Sequence, residues 1–154
     1  ENYLKEKNNL NIRRTLAKEY SKAELFDKAE SHYLLLATKN QDAEAYRHLA
    51  VIQSRYDVGK ALVLAKQAYD MKQNSLAIVA TYGWLLVQSG SADKGLSHLR
   101  YVYARDGRQP TLLYRLGETL LILNQPTQAK EFFEQAIKYD FPLKDKAIEQ
   151  LNKL

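Results

Sequence analysis

The sequence predicts an all-α fold, a solenoid of stacked helical hairpins, and three observations carry that prediction. Short apolar pairs recur at a nearly constant spacing, small residues recur at fixed places within each period, and no stretch sustains the apolar/polar alternation of a strand. The pairs are Leu16-Ala17, Leu49-Ala50, Tyr82-Gly83 and Leu116-Gly117, at spacings of 33, 33 and 34 residues. A second series follows each pair: Ala29/Tyr33/Leu36, Ala61/Ala65/Ala68, Gly95/Leu99/Val102 and Ala129/Phe133/Ala136. Every member has the same +4, +3 spacing, which sets three residues on one face of a helix.

Each period therefore reads as two helices, over 10–23 and 26–39, 42–55 and 57–72, 74–89 and 92–106, and 110–123 and 126–138, with a last helix at 142–154. The repeats divide as 10–42, 43–75, 76–109 and 110–143. Residues 144–154 form a C-terminal cap, and residues 1–9 are the tail of a preceding helix or the edge of the segment. The punctuation supports each boundary in turn. Asp42 is placed to cap the third helix, and Gly90 and Gly107 to end the fifth and sixth. Asn124 is a candidate N-cap for the eighth. Pro110, Pro126 and Pro142 fall where helices begin, a position that tolerates the missing N–H.

The recurring small residues are expected to be contact points within each pair: Ala17, Ala50, Gly83 and Gly117 on first helices, and Ala29, Ala61, Gly95 and Ala129 on second ones. A glycine in mid-helix costs about 1 kcal/mol relative to alanine. Gly83 is therefore expected to admit the facing helix near Gly95. Tyr20, Tyr33, Tyr82 and Phe133 are expected in the core. In the last helix, Leu143, Ala147, Ile148 and Leu151 can cover the final pair.

A helical pair of this length, with a large residue then Gly or Ala in its first helix and Ala, aromatic, Ala in its second, resembles the tetratricopeptide repeat. Unit 110–143 matches best, through Leu116, Gly117, Ala129, Phe133, Ala136 and Pro142. The other units depart more: Ala65 replaces the aromatic, Gly95 the small alanine, and Gln41 and Gln73 stand where proline is usual. The resemblance implies a right-handed superhelix (α-solenoid) of about four hairpins plus a C-terminal capping helix, with first helices lining a concave groove. It places in that groove Arg14, Lys18 and Lys22; Arg47, Val51 and Arg55; Ala80, Trp84 and Val87; and Tyr114, Glu118 and Leu121. The groove is then basic at its N-terminal end and aromatic or apolar at its C-terminal end. That surface suits a peptide or protein partner that is acidic with an apolar anchor.

Two narrower comparisons point in opposite directions. The stretches TYGWLLVQSGSADKGLSHLR and LLYRLGETLLILNQPTQAKEFFEQAI, with a short final helix, resemble the C-terminal repeats of tetratricopeptide proteins of bacterial PEP-CTERM/exosortase systems. This resemblance implies a periplasmic or envelope-associated role in exopolysaccharide and surface-protein export, with Leu154 near the native C-terminus; outside that system the cytoplasm is the expected compartment. The carboxylate clamp of chaperone-cofactor members is not expected. Its places hold Arg14, Lys18, His48, Ala77 and Thr81, without the asparagines and without cations in the third unit.

Composition narrows the remaining chemistry. The chain has 154 residues, is 45% apolar and 27% charged, and contains no cysteine, so disulfides and thiolate sites are excluded. No apolar run approaches the roughly 20 residues of a membrane-spanning helix. The opening ENYLKEKNN has no basic-then-apolar leader, and reads as a cut inside a longer protein. The net charge of +5 is spread thinly over the repeats, and the groove residues change type from unit to unit, which argues against nucleic acid. His32, His48 and His98 lie in separate units without metal-ligand spacing, and each reads as a solvent-facing or groove residue. Six glycines form no phosphate loop, and Glu118 has no partner carboxylate. The expectation is a non-enzymatic binding scaffold with no cofactor and no metal. The alternative is a structural cap of a longer solenoid whose upstream repeats do the recognising, and the open edges of either could pair with a second copy.

Overall fold

A computed structural model of the protein describes the backbone of residues 2–154 and the side chains of residues 9–154. Among the described residues there are nine helices and no strand. They are α1 (Asn2–Lys22), α2 (Phe26–Asn40), α3 (Ala43–Gln53), α4 (Val58–Met71), α5 (Leu76–Gln88), α6 (Ala92–Tyr103), α7 (Pro110–Ile122), α8 (Pro126–Ala136) and α9 (Lys144–Leu151). They form two compact units, residues 1–73 and 74–154. In the first, α1 pairs with α2 and α3 with α4, and α2 packs on α3. In the second, α5 pairs with α6 and α7 with α8, α6 packs on α7, and α9 lies on α8.

Short loops force consecutive helices to be neighbours, and the small residues let them approach. Ala17, Ala29, Ala50, Ala61 and Ala129 are fully buried. The approach is closest between α5 and α6. A Cβ added to Gly95 would stand 2.6 Å from the Gly83 carbonyl oxygen and would strike a Val87 methyl, and one added to Gly83 would stand 2.8 Å from His98 Cβ. Backbone thus meets backbone at this seam. On α7 the space beside Gly117 is filled differently, by the Phe133 ring, whose nearest carbon would lie 2.6 Å from an added Cβ.

Several boundaries differ from the sequence expectation for identifiable reasons. The first helix begins at Asn2 instead of residue 10, so the expected tail is helical and continuous with α1; the side chains of residues 1–8 lie outside the described residues. Asp42 caps α3, accepting from the amides of Glu44 and Ala45 at 3.0 and 3.3 Å. Asn124 caps nothing. It adopts a left-handed conformation (φ 55°), one that asparagine tolerates after a helix end, and Gln125 takes the N-cap place of α8. Gly90 turns the chain after α5 with φ 90°. Gly107 lies beyond the end of α6, packed beside the Tyr103 ring. Pro110 and Pro126 open their helices, whereas α9 starts at Lys144, two residues after Pro142.

The cores follow the +4, +3 series. Tyr33, Leu36, Leu99, Val102, Phe133 and Ala136 are buried, while Tyr20 and Tyr82, also expected in the core, are half-buried. Leu16 departs from its equivalents Leu49 and Leu116: it is 39% exposed, because the first hairpin has no earlier helix packed on that side among the described residues. On α9, Ala147 is buried, Leu143 and Leu151 are half-buried, and Ile148, expected to cover the last pair, is 39% exposed.

Candidate functional site

In the first unit the cationic ladder of α1 meets the start of α3. Arg14, Lys18 and Lys22 recur every four residues and so share one face. With Tyr33, Asp42, Glu44, Arg47 and His48 they line a cleft of about 690 Å³ that also includes Ser21. An adjoining cleft of about 240 Å³ shares Ser21, Lys22 and His48 and adds Val51 and Arg55. The five cations expected at the basic end of a groove are therefore gathered into two neighbouring clefts.

They are not equally available. Arg14 donates to Asp42 at 2.9 Å, Arg47 to Glu44 at 2.7 Å, and Lys22 to Glu19 at 2.8 Å. Arg55 lies over the Phe26 ring, 4.0 Å from its centroid. Lys18 has no ion-pair partner among the described residues. Both carboxylates of the larger cleft are thus occupied, Asp42 by a guanidinium and two helix amides, Glu44 by Arg47. Arg47 also donates to His48 Nε2 at 2.8 Å, which makes that nitrogen an acceptor and puts the ring proton on Nδ1. The His48 imidazole stacks on Tyr33 with centroids 4.6 Å apart. Burial and the Arg47 cation push its pKa down to about 4, with Lys18 adding to the shift and Glu44 and Asp42 opposing it. The cleft floor is therefore neutral at physiological pH and its rim positive.

The second unit presents a different surface. Helix α5 contains no charged residue and displays Trp84, half-buried, with Ala80 half-buried and Val87 buried beside it. Arg115 on α7 covers the indole, its guanidinium carbon 5.3 Å from the ring centroid. Tyr114, expected as a groove contact, is 4% exposed and belongs to the core. Its ring lies near Phe133 and Phe141, and its phenol donates to Glu118 Oε1 at 2.5 Å. Burial, that hydrogen bond, and the charges of Glu118 and Glu149 all raise the phenol's pKa well above its ordinary value. Glu118 and Leu121 stay half-buried on α7.

Sequence reasoning does not find Arg115, because its position in the repeat is one step from the face expected to line the groove. Only the neighbouring first helix turns it onto Trp84. The other two histidines are ring partners: His32 stacks on Tyr20 at 5.6 Å and meets Arg13, and His98 takes Tyr82 edge-on at 5.2 Å. Among the described residues no three His, Asp or Glu side chains come together as metal ligands would. No helix among them is long and apolar enough to cross a membrane.

The sequence profile of the tetratricopeptide repeat matches residues 110–142. No curated protein matches the chain. Among solved structures, YrrB, described as a tetratricopeptide protein with an unusual peptide-binding site, is 17% identical and superposes with a TM-score of 0.71, over 94% of this chain and 75% of its own. MamA of MSR-1 is 18% identical with a TM-score of 0.73, over 94% and 84%. A tetratricopeptide protein of Parabacteroides merdae is 15% identical with a TM-score of 0.67, over 94% and 59%.

Proposed function

Since residues 110–142 are a tetratricopeptide repeat and the chain has the fold of proteins built from it, we propose that this protein is a non-enzymatic scaffold that binds a peptide or protein partner. The observation that carries the reading is the first unit's cleft, in which four cations face an opening whose two carboxylates are already occupied. Charge complementarity makes the matching segment acidic. In the second unit, Trp84 offers the aromatic surface for the rest of the partner.

The test is titration calorimetry with an acidic peptide ending in apolar residues. Arg47→Ala with Trp84→Ala should weaken binding at least tenfold, and raising the salt concentration should weaken it further. Undiminished affinity in the double variant removes this assignment of contacts.

Export of exopolysaccharide or surface protein in the bacterial envelope is the setting we propose, on the resemblance of residues 81–100 and 112–137 to PEP-CTERM-associated repeats. Exosortase and polysaccharide-synthesis genes beside this one would support it, and their absence would count against it. A second reading, a structural C-terminal cap of a longer solenoid whose upstream repeats do the recognising, is favoured by α9, whose Ala147 is fully buried. Terminal repeats need such a cover. Deleting 142–154 should then cause aggregation; a monomeric, equally stable truncation would discard the cap.

A further inference from the structure

Four arginines among the described residues are half-buried, and three have an acceptor. Arg13 meets His32 Nδ1 at 3.4 Å, Arg14 donates to Asp42 at 2.9 Å, and Arg47 to Glu44 at 2.7 Å. Arg115 has neither a hydrogen bond nor an ion pair among the described residues; its contact is the Trp84 ring. Glu118, one turn along α7, acts on it through charge, but that carboxylate takes its hydrogen bond from the Tyr114 phenol. Burial pulls the Arg115 pKa down to about 10 against the opposing pull of Glu118.

A guanidinium carries five N–H donors in one plane. With one face against the indole, its edges remain the route by which it can hydrogen-bond. None of its nitrogens is sealed from water without a partner, and the side chain is half-buried, so the fork is open to an arriving acceptor, and a charge-assisted bond formed there replaces water instead of a protein partner. The planar two-oxygen carboxylate matches the fork edge in geometry. Its single negative charge matches one guanidinium, whereas a phosphate dianion would be repelled more strongly by Glu118.

We propose that Arg115, held on the Trp84 indole, receives one carboxylate of the partner in the second unit. The inference rests on the reading of the protein as a binding scaffold and changes one part of it. Trp84 becomes the platform that orients a cation, and the second unit reads charge as well as apolar surface.

The chain has a single tryptophan, so intrinsic fluorescence reports on Trp84 directly. The probes are a capped peptide of alternating Glu and Ala, its Gln counterpart, and inorganic phosphate. The expected result is a saturable Trp84 response to the Glu peptide alone. Arg115→Gln should weaken the affinity about tenfold or more. Arg115→Lys, which keeps the charge and loses the fork, should fall between that variant and the native protein. Glu118→Gln, which removes the competing charge, should tighten binding; a merely structural Arg115 would give no such gain. Equal responses to the Gln peptide or to phosphate, or native affinity in Arg115→Gln with unchanged helicity, overturn the inference. The scaffold reading fails separately: calorimetry would then show no binding of the Glu peptide at all. Binding that depends on Arg14 and Arg47 while Trp84 stays silent sinks only the Arg115 receptor.

Discussion

The two units solve the same packing problem with different residues, and the difference decides what each can show to a partner. In the first, alanines at 17, 29, 50 and 61 separate the paired helices, and the faces left over are rich in cations and carboxylates. In the second, Gly83 and Gly95 bring α5 and α6 backbone to backbone, and the uncharged α5 presents Trp84 under Arg115. Arg14, Lys22 and Arg47 of the first unit are each held by a carboxylate. Arg115 of the second is held by an aromatic face. A repeat architecture thus conserves the seam and leaves the outward chemistry free to vary.

The two units should differ most in stability at the glycine seam. Gly95→Leu places a side chain where even a Cβ meets the Gly83 carbonyl at 2.6 Å. We expect a loss of about 3 kcal/mol, the upper end of overpacking costs, and a clear fall in the thermal midpoint. Gly83→Leu should cost about 1–3 kcal/mol by the same mechanism. Ala61→Gly, in the first unit, removes a methyl instead and should cost about 1 kcal/mol through helix propensity. If the glycine substitutions were as mild as Ala61→Gly, the contrast between seams would be void.

The next effect lies in pH. His48 has a folded pKa near 4, below its ordinary 6.5, so the unfolded chain binds the proton first on acidification. Its contribution is therefore complete above pH ~6.5 and is lost as pH falls toward 4, by about 1–3 kcal/mol. Thermal melts of the native protein and His48→Phe between pH 7 and 4 check this; the native protein should lose more stability than the variant. Parallel curves would mean that His48 is not held neutral by its surroundings.

Asp42→Ala should come next, costing about 0.5–2 kcal/mol through the lost cap of α3, with Arg14 freed at the same time. Denaturant unfolding measures the loss. Lys22→Ala should be smallest: its pair with Glu19 is exposed at both ends, and such pairs add little stability. A large drop in the thermal midpoint there would mean that Lys22 packs in the cleft more tightly than its exposure indicates.

Periodicity made the helices legible, since a repeat states its own register four times, and the apolar series placed Leu36, Leu99 and Phe133 inside without any knowledge of their neighbours. Boundaries were less legible where a residue type has two uses. Asn124 suits both an N-cap and a left-handed helix end, and only the backbone path chose the second. The candidate contacts were legible as residue types but not as free or occupied groups. Arg14 and Arg47 looked alike in sequence to Lys18, yet each has a carboxylate partner and Lys18 has none among the described residues.

What the linear chain determined by itself was the all-helical hairpin plan and the glycines and alanines at its seams, because helix period and side-chain volume are local properties. Tertiary packing alone decided that Tyr114 would be withdrawn into the core with its phenol on Glu118, that His48 would stack on Tyr33 and stay neutral, and that Arg115 would lie on Trp84. Those outcomes depend on which face a neighbouring helix covers, and desolvation and charge act through that cover.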